Sequence, residues 1–540
     1  MATRSALLVL VVGCHGRTDR SAFVAHSPAY GYGMSDFEAF VQRELGKRLH
    51  GDVYLDYAAS GLYTDAQIDA HASDLKENLY GNPHSLSSSA TRSSISIQEA
   101  RDEVLQFLSA SPSEYEVVFT RSCTDSLRLV ADMFPWASGS EYRYLLQNHN
   151  SVLGIRDVAR DMNASVTVAW HEDVDTWLDE LAARPDQDAT GSLSLFAYPA
   201  EENFAGQIFP LRWASQIGSR KGGLRTWRVL LDAAKFTASH PLNLTEARAD
   251  FVTLSFYKLF GYPTGVGALI IRQETAFELK KHYWGGGSVS LAGAGRTDTD
   301  DLKVFKGRIA ERFEDGTLAF LGIASLKHGF QALERVGGMV AIEQHTSALA
   351  SELHRLLTRL RHRNGAPVIA MYSRDRGADE KGRLVQGPIV NFNVLRADST
   401  LISHIEVMAT AAEAGIHIRA GMHCNPGAAT TILGLPPEAI KEAAKDTSIQ
   451  GCGHGPAFVK CRASAVQAIQ SDDACQQLYT GRASATESHV ATGTDFLDAM
   501  QSLEPDLEMP FGSVRVSVGY LSTYEDIRRL VDFVIKEYQE

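Results

Sequence analysis

From residue 115 to residue 272 the sequence keeps returning to short runs of Val, Leu, Ile, Phe and Tyr, each bounded by polar or turn residues. The runs are Glu116–Thr120, Arg143–Leu146, Ser165–Trp170, Ser192–Tyr198, Trp227–Asp232, Phe251–Phe256 and Val266–Arg272. Each reads as a strand buried on both faces. Helical stretches such as Thr124–Met133 and Val152–Met162 separate several of them. Strands alternating with helices specify an α/β architecture, a mainly parallel seven-stranded sheet covered by helices. In such sheets a ligand binds beyond the carboxyl ends of the strands. After Gly316 the pattern changes to long helices, Leu318–Val336 and Met339–Arg361, and then to isolated strands, Ile389–Leu395 and Val514–Gly519. That change predicts a large domain over 35–317 and a smaller α+β domain over 318–540. Residues 444–510 are polar, rich in Ala, Ser and Asp, and read as an insertion or long surface loop. The chain has no internal repeat.

Composition narrows the function classes. With 52 basic and 65 acidic side chains in 540 residues, the net charge is −13. A surface built to neutralise nucleic-acid phosphates needs the opposite balance. No run reaches the roughly 20 apolar residues that span a bilayer. Six cysteines in so long a chain are not a disulfide framework. The first 34 residues stand apart. Ala6–Cys14 is an apolar run of signal-peptide length, followed by a stretch carrying Arg17, Arg20, Ser21 and Ser27. Ser21–Ala25 is similar to the junction of two-part leaders that import proteins into complex algal plastids. The expectation is a targeting leader over 1–34, or a wrongly chosen start with Met34 opening the protein. Either way the fold is read from residue 35, and the compartment stays open between cytoplasm and plastid.

Two residues suggest the chemistry. Lys258 ends the run Phe251–Phe256 and is followed by the Gly-rich segment Gly261–Gly267. A desolvated lysine there can form a Schiff base with an aldehyde cofactor, although a lone strand-end lysine more simply snorkels to solvent. Asp232 ends Val229–Asp232, where a carboxylate can hold a pyridinium nitrogen protonated; alone it would be a turn or cap residue.

The pattern around them resembles the class V, fold-type I pyridoxal-phosphate transferases, and among these the molybdenum cofactor sulfurases more than generic cysteine desulfurases. The resemblance runs from Tyr54 to Tyr538, interrupted by 444–510. It is carried by Tyr54–Ala59, Gly81–Ser85, Val117–Thr120, Asn148–Val152, Ser255–Gly267, Phe313–Thr317, Arg419–Asn425 and Gly512–Thr523. It implies pyridoxal 5'-phosphate as cofactor, with Lys258 as its Schiff-base residue, Asp232 as the pyridinium partner and His149 as the imidazole stacked on the ring. Backbone N–H groups of Cys123 and Thr124, with the Thr124 hydroxyl, would hold the phosphate at a helix N-terminus. Ser255 and Tyr257 would add phosphate ligands, and Asn203 would lie near the ring oxygen. Thr317 would reach the phosphate of a partner subunit in a homodimer, and Arg515 would grip the substrate carboxylate.

Cys424, in the Gly-flanked segment Arg419–Gly427, selects the reaction. Arg419 and His423 nearby favour its thiolate, and the flanking glycines suit a mobile loop; a lone cysteine is otherwise a small buried hydrophobe. The resemblance implies that L-cysteine yields alanine and a Cys424 persulfide, which passes to an acceptor, the molybdenum cofactor. Iron–sulfur assembly by a general cysteine desulfurase or selenocysteine lyase is the alternative, and an inactive scaffold a third. Full-length sulfurases of this type continue into a molybdenum-cofactor-binding domain, whereas this sequence ends at Glu540, so the acceptor rests on resemblance alone. Lys235 stands where many desulfurases place a glutamine, which makes it the fallback Schiff-base candidate. Ser122 replaces a common glycine of the phosphate loop. Cys452, His454, Cys461 and Cys475 lack the tight spacing of a zinc site and read as surface-loop residues.

Overall fold

Alternating short apolar runs and helices have one economical solution, and the computed structural model adopts it. It describes residues 20–184, 192–298, 300–375, 384–445, 456–462 and 506–540. After a short β1 (Val53–Tyr54), the seven expected runs become β2 (Tyr115–Thr120), β3 (Glu141–Leu145), β4 (Ser165–Ala169), β5 (Ser194–Pro199), β6 (Trp227–Asp232), β7 (Phe251–Ser255) and β8 (Gly267–Arg272). They form a single sheet in the order β2-β8-β7-β6-β5-β3-β4. The pairs β7–β6, β6–β5, β5–β3 and β3–β4 are parallel, and β8 runs against both of its neighbours. Every residue of β5, β6, β7 and β8 is buried, as strands covered on both faces by helices must be.

Beyond this sheet lie an exposed hairpin, β9 (Val289–Ala292) with β10 (Lys303–Phe305), and a second sheet. The latter joins β11 (Ile369–Met371), β12 (Ile389–Val394), β14 (Arg419–Gly421) and β17 (Ser513–Ser517) in the antiparallel order β11-β12-β17-β14. Chain order does not separate the two sheets cleanly. β1 pairs in parallel with β13 (Ile416–His417), and Asp56 bridges to Ser517. Residues before the large sheet thereby reach the second one. The expected helix Leu318–Val336 is two, Phe320–Ala324 and Leu326–Arg335. Within 444–510, read as an insertion or loop, β15 (Phe458–Arg462) and β16 (Asp506–Pro510) form an antiparallel ladder. Cys452, His454 and Cys475 lie outside the described residues.

The structure departs from the sequence reading over residues 20–34, which are packed into the protein rather than set apart from it. Phe23 is buried and stacks on Tyr524 with ring centroids 4.9 Å apart. Tyr30 and Tyr32 stack on the imidazole of His345. That ring accepts from Gly31 N–H at 3.1 Å through Nδ1, and its Nε2 lies 3.0 Å from Ser522 C=O. The aromatic side chains find partners some 300 to 500 positions away in sequence, which no local pattern announces. Residues 1–19, including the apolar run Ala6–Cys14, lie outside the described residues. Among the described residues no helix is long and apolar enough to cross a membrane.

Candidate active site

Five strands of the large sheet end on the same side, and the segments following them enclose one cleft. Ser122, Cys123 and Thr124 enter from the end of β2, His149 and Ser151 from β3, and Glu201, Glu202 and Asn203 from β5. Asp232 and Lys235 come from β6, and Ser255, Tyr257 and Lys258 from β7. Eight of the eleven residues singled out in the sequence line this cleft: Lys258, Asp232, His149, Cys123, Thr124, Asn203, Ser255 and Tyr257. Cys424, Arg515 and Thr317 are not among its walls.

At the base, Asp232 accepts from Ala234 N–H at 3.0 Å and from the Cys123 thiol at 3.5 Å. The thiol also lies 3.2 Å from the Thr253 hydroxyl. Burial and the Asp232 charge push the Cys123 thiol far up, so Cys123 is a neutral donor to the carboxylate. The helix Cys123–Met133 points its N-terminus at the cleft. Ser122 caps it, accepting from Asp125 N–H at 3.2 Å, and the Thr124 hydroxyl lies 2.8 Å from that of Ser151. Cys123 N–H, expected to face a phosphate, instead donates to Ser255 Oγ at 2.8 Å. Gly267 permits this close assembly: a Cβ there would lie 2.6 Å from the Ser122 backbone. His149 accepts from Ser151 N–H at 3.1 Å through Nδ1. Burial lowers its pKa to about 4, with Lys258 adding to the effect, so the ring is neutral near pH 7.

The second sheet supplies the other side. Arg515 on β17 stands opposite Arg419 on β14. Its guanidinium is buried and already engaged, donating to Asp56 Oδ1 at 2.9 Å and to Asn203 C=O at 3.0 Å. The expected fork for a substrate carboxylate thus has two arms committed to the protein, and its buried Nε has no hydrogen-bond partner among the described residues. Cys424 is half-buried. It takes a left-handed backbone at φ 56°, as His423 does at φ 54°. Charge on Cys424 acts on Arg515, which sets the two within electrostatic reach.

The Cys424 segment, expected to be a mobile loop, is fastened at three points. Asn150 N–H donates to Cys424 C=O at 2.8 Å, tying the cysteine to the turn that carries His149. Asn425 Nδ2 donates to Gln147 C=O at 3.0 Å and to Glu202 Oε2 at 3.2 Å, while its Oδ1 caps the helix Pro426–Ile432. Gly427 lets that helix press against the Leu146 carbonyl, where a Cβ would clash. Glu202 is buried and also accepts from the N–H groups of Phe204, Ala205 and Gln207. It therefore anchors the Asn203 loop and Asn425 together.

Sequence reasoning did not single out Glu201, Glu202, Asn425, Ser151 or Asp56. Glu201 and Glu202 immediately precede Asn203, and two acidic residues leaving a buried strand toward a ligand site are the signal that was there to read. Lys235, the fallback amine, lines the cleft in an ion pair with Glu201. Thr317 lines a neighbouring cleft with Arg121 and Asp125, across the phosphate-loop candidate from Lys258. Its segment is set by the buried pair Arg101–Glu314 at 2.7 Å.

Comparison with known proteins agrees with this architecture. The family described as Aminotransferase class-V matches residues 53–437. The chain is 38% identical over 517 residues to a molybdenum cofactor sulfurase of Bos taurus, covering 94% of this chain and 52% of that protein. It is 34% identical over 540 residues to one of Arabidopsis thaliana, covering 94% and 59%. The chain spans about half the length of the curated relatives it matches. Among solved structures, an apo cysteine desulfurase from Thermococcus onnurineus NA1 superposes with a TM-score of 0.63 at 18% identity, covering 92% of this chain and 97% of that one. At that identity the likeness is one of fold.

Proposed function

Because this chain belongs to the class-V aminotransferase family, we propose that it binds pyridoxal 5'-phosphate and takes sulfur from L-cysteine as a persulfide on Cys424. Alanine is the other product, and the molybdenum cofactor is the acceptor. One observation carries the reading: a lysine, a carboxylate and a neutral imidazole converge in one cleft, and the Cys424 carbonyl is hydrogen-bonded to the residue that follows that imidazole.

The donor set fits the cofactor. An amine for the aldehyde, a buried carboxylate for a ring nitrogen, a flat neutral ring and a helix N-terminus flanked by hydroxyls are the groups that such a ligand requires. When bound, pyridoxal phosphate supplies an electron sink for charge at the substrate α-carbon. Lys258 is the amine that would hold the aldehyde carbon, and it would take the proton from the substrate α-carbon and later return it. Asp232, oriented by Ala234 N–H and the Cys123 thiol, holds the proton on the ring nitrogen. His149 covers the ring without adding a charge. Thr124, Ser255 and Tyr257 serve the phosphate end, with Cys123 N–H reaching it through Ser255. Arg515 donates to the Asn203 carbonyl and to Asp56, and to grip a substrate carboxylate it would have to exchange its pair with Asp56 for that carboxylate. Cys424 Sγ, as the thiolate, would then form the S–S bond to the substrate sulfur while the Cβ–S bond breaks with its electron pair left on Cβ, which takes up a proton equal to the one the Cys424 thiol released. The nearby Arg515 favours the thiolate that attacks.

A homodimer accounts for Thr317, which would serve the partner's phosphate. Exposed Leu86 and Tyr283 support a covered face there, and His84 lies against Gly287 beside the β9–β10 hairpin with its exposed Leu291. Light scattering tests the dimer.

The deciding experiment adds pyridoxal phosphate and L-cysteine to the purified protein, follows alanine, and maps persulfide by mass spectrometry. Alanine and persulfide in equal amounts, with sulfur on Cys424 and transferred to added molybdenum cofactor, are expected. Alanine without Cys424 persulfide would overturn the nucleophile. Transfer to an iron–sulfur scaffold protein but not to molybdenum cofactor would overturn the acceptor.

A further inference from the structure

The reaction above leaves one buried amine without a task. Lys235 precedes the single turn Phe236–Ala238 and is only 4% exposed. Its Nζ lies 3.0 and 3.1 Å from the two oxygens of Glu201 and donates to Ser239 Oγ at 3.2 Å. Glu201 is fully buried in its side chain, and the imidazole of His240 stands 3.7 Å from its Oε2. His240 in turn binds Glu343 at 3.0 Å through Nδ1. Both Lys235 and Glu201 line the cleft that holds Lys258.

A dry ion pair is costly to bury, and a neutral amide would make the same hydrogen bonds to a neutral partner. Its placement therefore asks for a use of the charge itself. Around Lys235 stand Glu201 and Glu202 from the loop after β5, Asp232 from β6, Lys258, His149 and Arg515. Burial pushes its amine toward the neutral form, and the cations Lys258 and Arg515 push the same way. Glu201 opposes them.

We propose that Lys235 and Glu201 are a charge-setting pair, in which Glu201 keeps a full positive charge on Lys235 at the cleft wall and that charge favours the deprotonated form of a pyridoxal-type ligand held at Lys258. The proposal rests on the cofactor reading. Lys235 acts as a positioning residue through its charge, and Glu201 acts through Lys235.

The test titrates the visible absorption of the protein reconstituted with pyridoxal phosphate, from pH 5 to pH 10, in the parent and three variants. A nearby cation lowers the pH at which the bound ligand loses its proton. Lys235→Gln is expected to raise the midpoint by at least about one pH unit, a tenfold change in proton affinity. Lys235→Arg keeps the charge and is expected to stay near the parent. Glu201→Gln is expected to raise the midpoint as the amine sheds its proton. If Lys235→Gln fails to fold with Glu201 left unpaired, the double variant Lys235→Gln/Glu201→Gln removes both charges and is expected to shift the same way by less. A parent-like midpoint in Lys235→Gln, or in the double variant where it replaces it, overturns the pair. So does an equal shift in Lys235→Arg, which would make the effect one of packing. A parent protein with no visible band overturns the cofactor reading itself.

Discussion

The wall of the cleft supplied by the seven-stranded sheet gathers side chains from five strand ends, each fixed by ladder hydrogen bonds along buried strands. The wall that carries Cys424 depends on single bonds: Asn150 N–H to the Cys424 carbonyl, and Asn425 to Gln147 and Glu202. Both walls meet at the His149 turn, yet they are held by different means. A site divided in this way separates two tasks. The groups that would hold the proposed cofactor are placed by the sheet, whereas the position of Cys424, the proposed sulfur nucleophile, is set by a few side chains that can be changed without disturbing the sheet.

That division is open to attack from both sides. Lys258→Ala strikes the sheet wall and is expected to reduce alanine formation by at least about 1,000-fold, read from alanine released per enzyme. Cys424→Ser strikes the other wall. It is expected to bind pyridoxal phosphate with its visible band intact and to carry no persulfide, read by mass spectrometry. Loss of the band in Cys424→Ser would mean that the walls are not independent. Asn425→Ala sharpens the point, since it leaves the thiol and the Asn150 bond to the Cys424 carbonyl in place and removes the bonds to Gln147 and Glu202. A misplacement of about 1 Å costs up to about 100-fold in rate. Persulfide formation should therefore fall about 10- to 100-fold while the dissociation constant for pyridoxal phosphate changes less than about twofold. A parallel loss of cofactor affinity would show that Asn425 supports the whole cleft.

Legibility in the sequence follows the same division. The strands of the large sheet were readable as short apolar runs between polar or turn residues, continuous where both faces are buried, as in β5 to β8, and legible even at the edge strand β4, of which only Ala169 is buried; their ends fix where a ligand sits. The residues at those ends, Asp232 and Lys258 among them, follow from that placement. The pattern has no means of reporting partners far off in sequence. Glu202 meets Asn425 across 223 positions, and Arg515 meets Asp56 across 459. Flanking glycines suggested that the Cys424 segment moves, whereas Gly427 serves close packing on Leu146. Residues 20–34 were misjudged for a similar reason. Their Gly- and Tyr-rich composition has no period, and their order comes from aromatic stacking on His345, on a helix of the far half of the chain.

That docked segment gives the smallest and most specific test, because two of its aromatic rings, Tyr30 and Tyr32, stack on one imidazole. Burial lowers the pKa of His345 to about 3, and the contacts agree, with Nδ1 accepting from Gly31 N–H and Nε2 facing the Ser522 carbonyl. The folded protein therefore keeps His345 neutral where an unfolded chain would bind a proton, below about pH 6.5. No stability is lost through this group above pH 6.5. As pH falls from 6.5 toward 3, the unfolded state gains a proton that the folded state refuses, and stability drops by up to about 1.4 kcal/mol per pH unit. His149 and His171, both lowered to about 4 by burial, add to the slope of the whole protein. The contribution of His345 is the difference between the parent and His345→Gln. Urea midpoints at pH 7 and pH 4.5 should show the variant less stable at pH 7, from lost stacking on Tyr30 and Tyr32, but less sensitive to acid by about 2 to 3 kcal/mol. Equal acid sensitivity in the two proteins would mean that the segment around Tyr30 and Tyr32 opens enough to protonate His345 without unfolding. The N-terminal residues would then be held more loosely than either wall of the cleft.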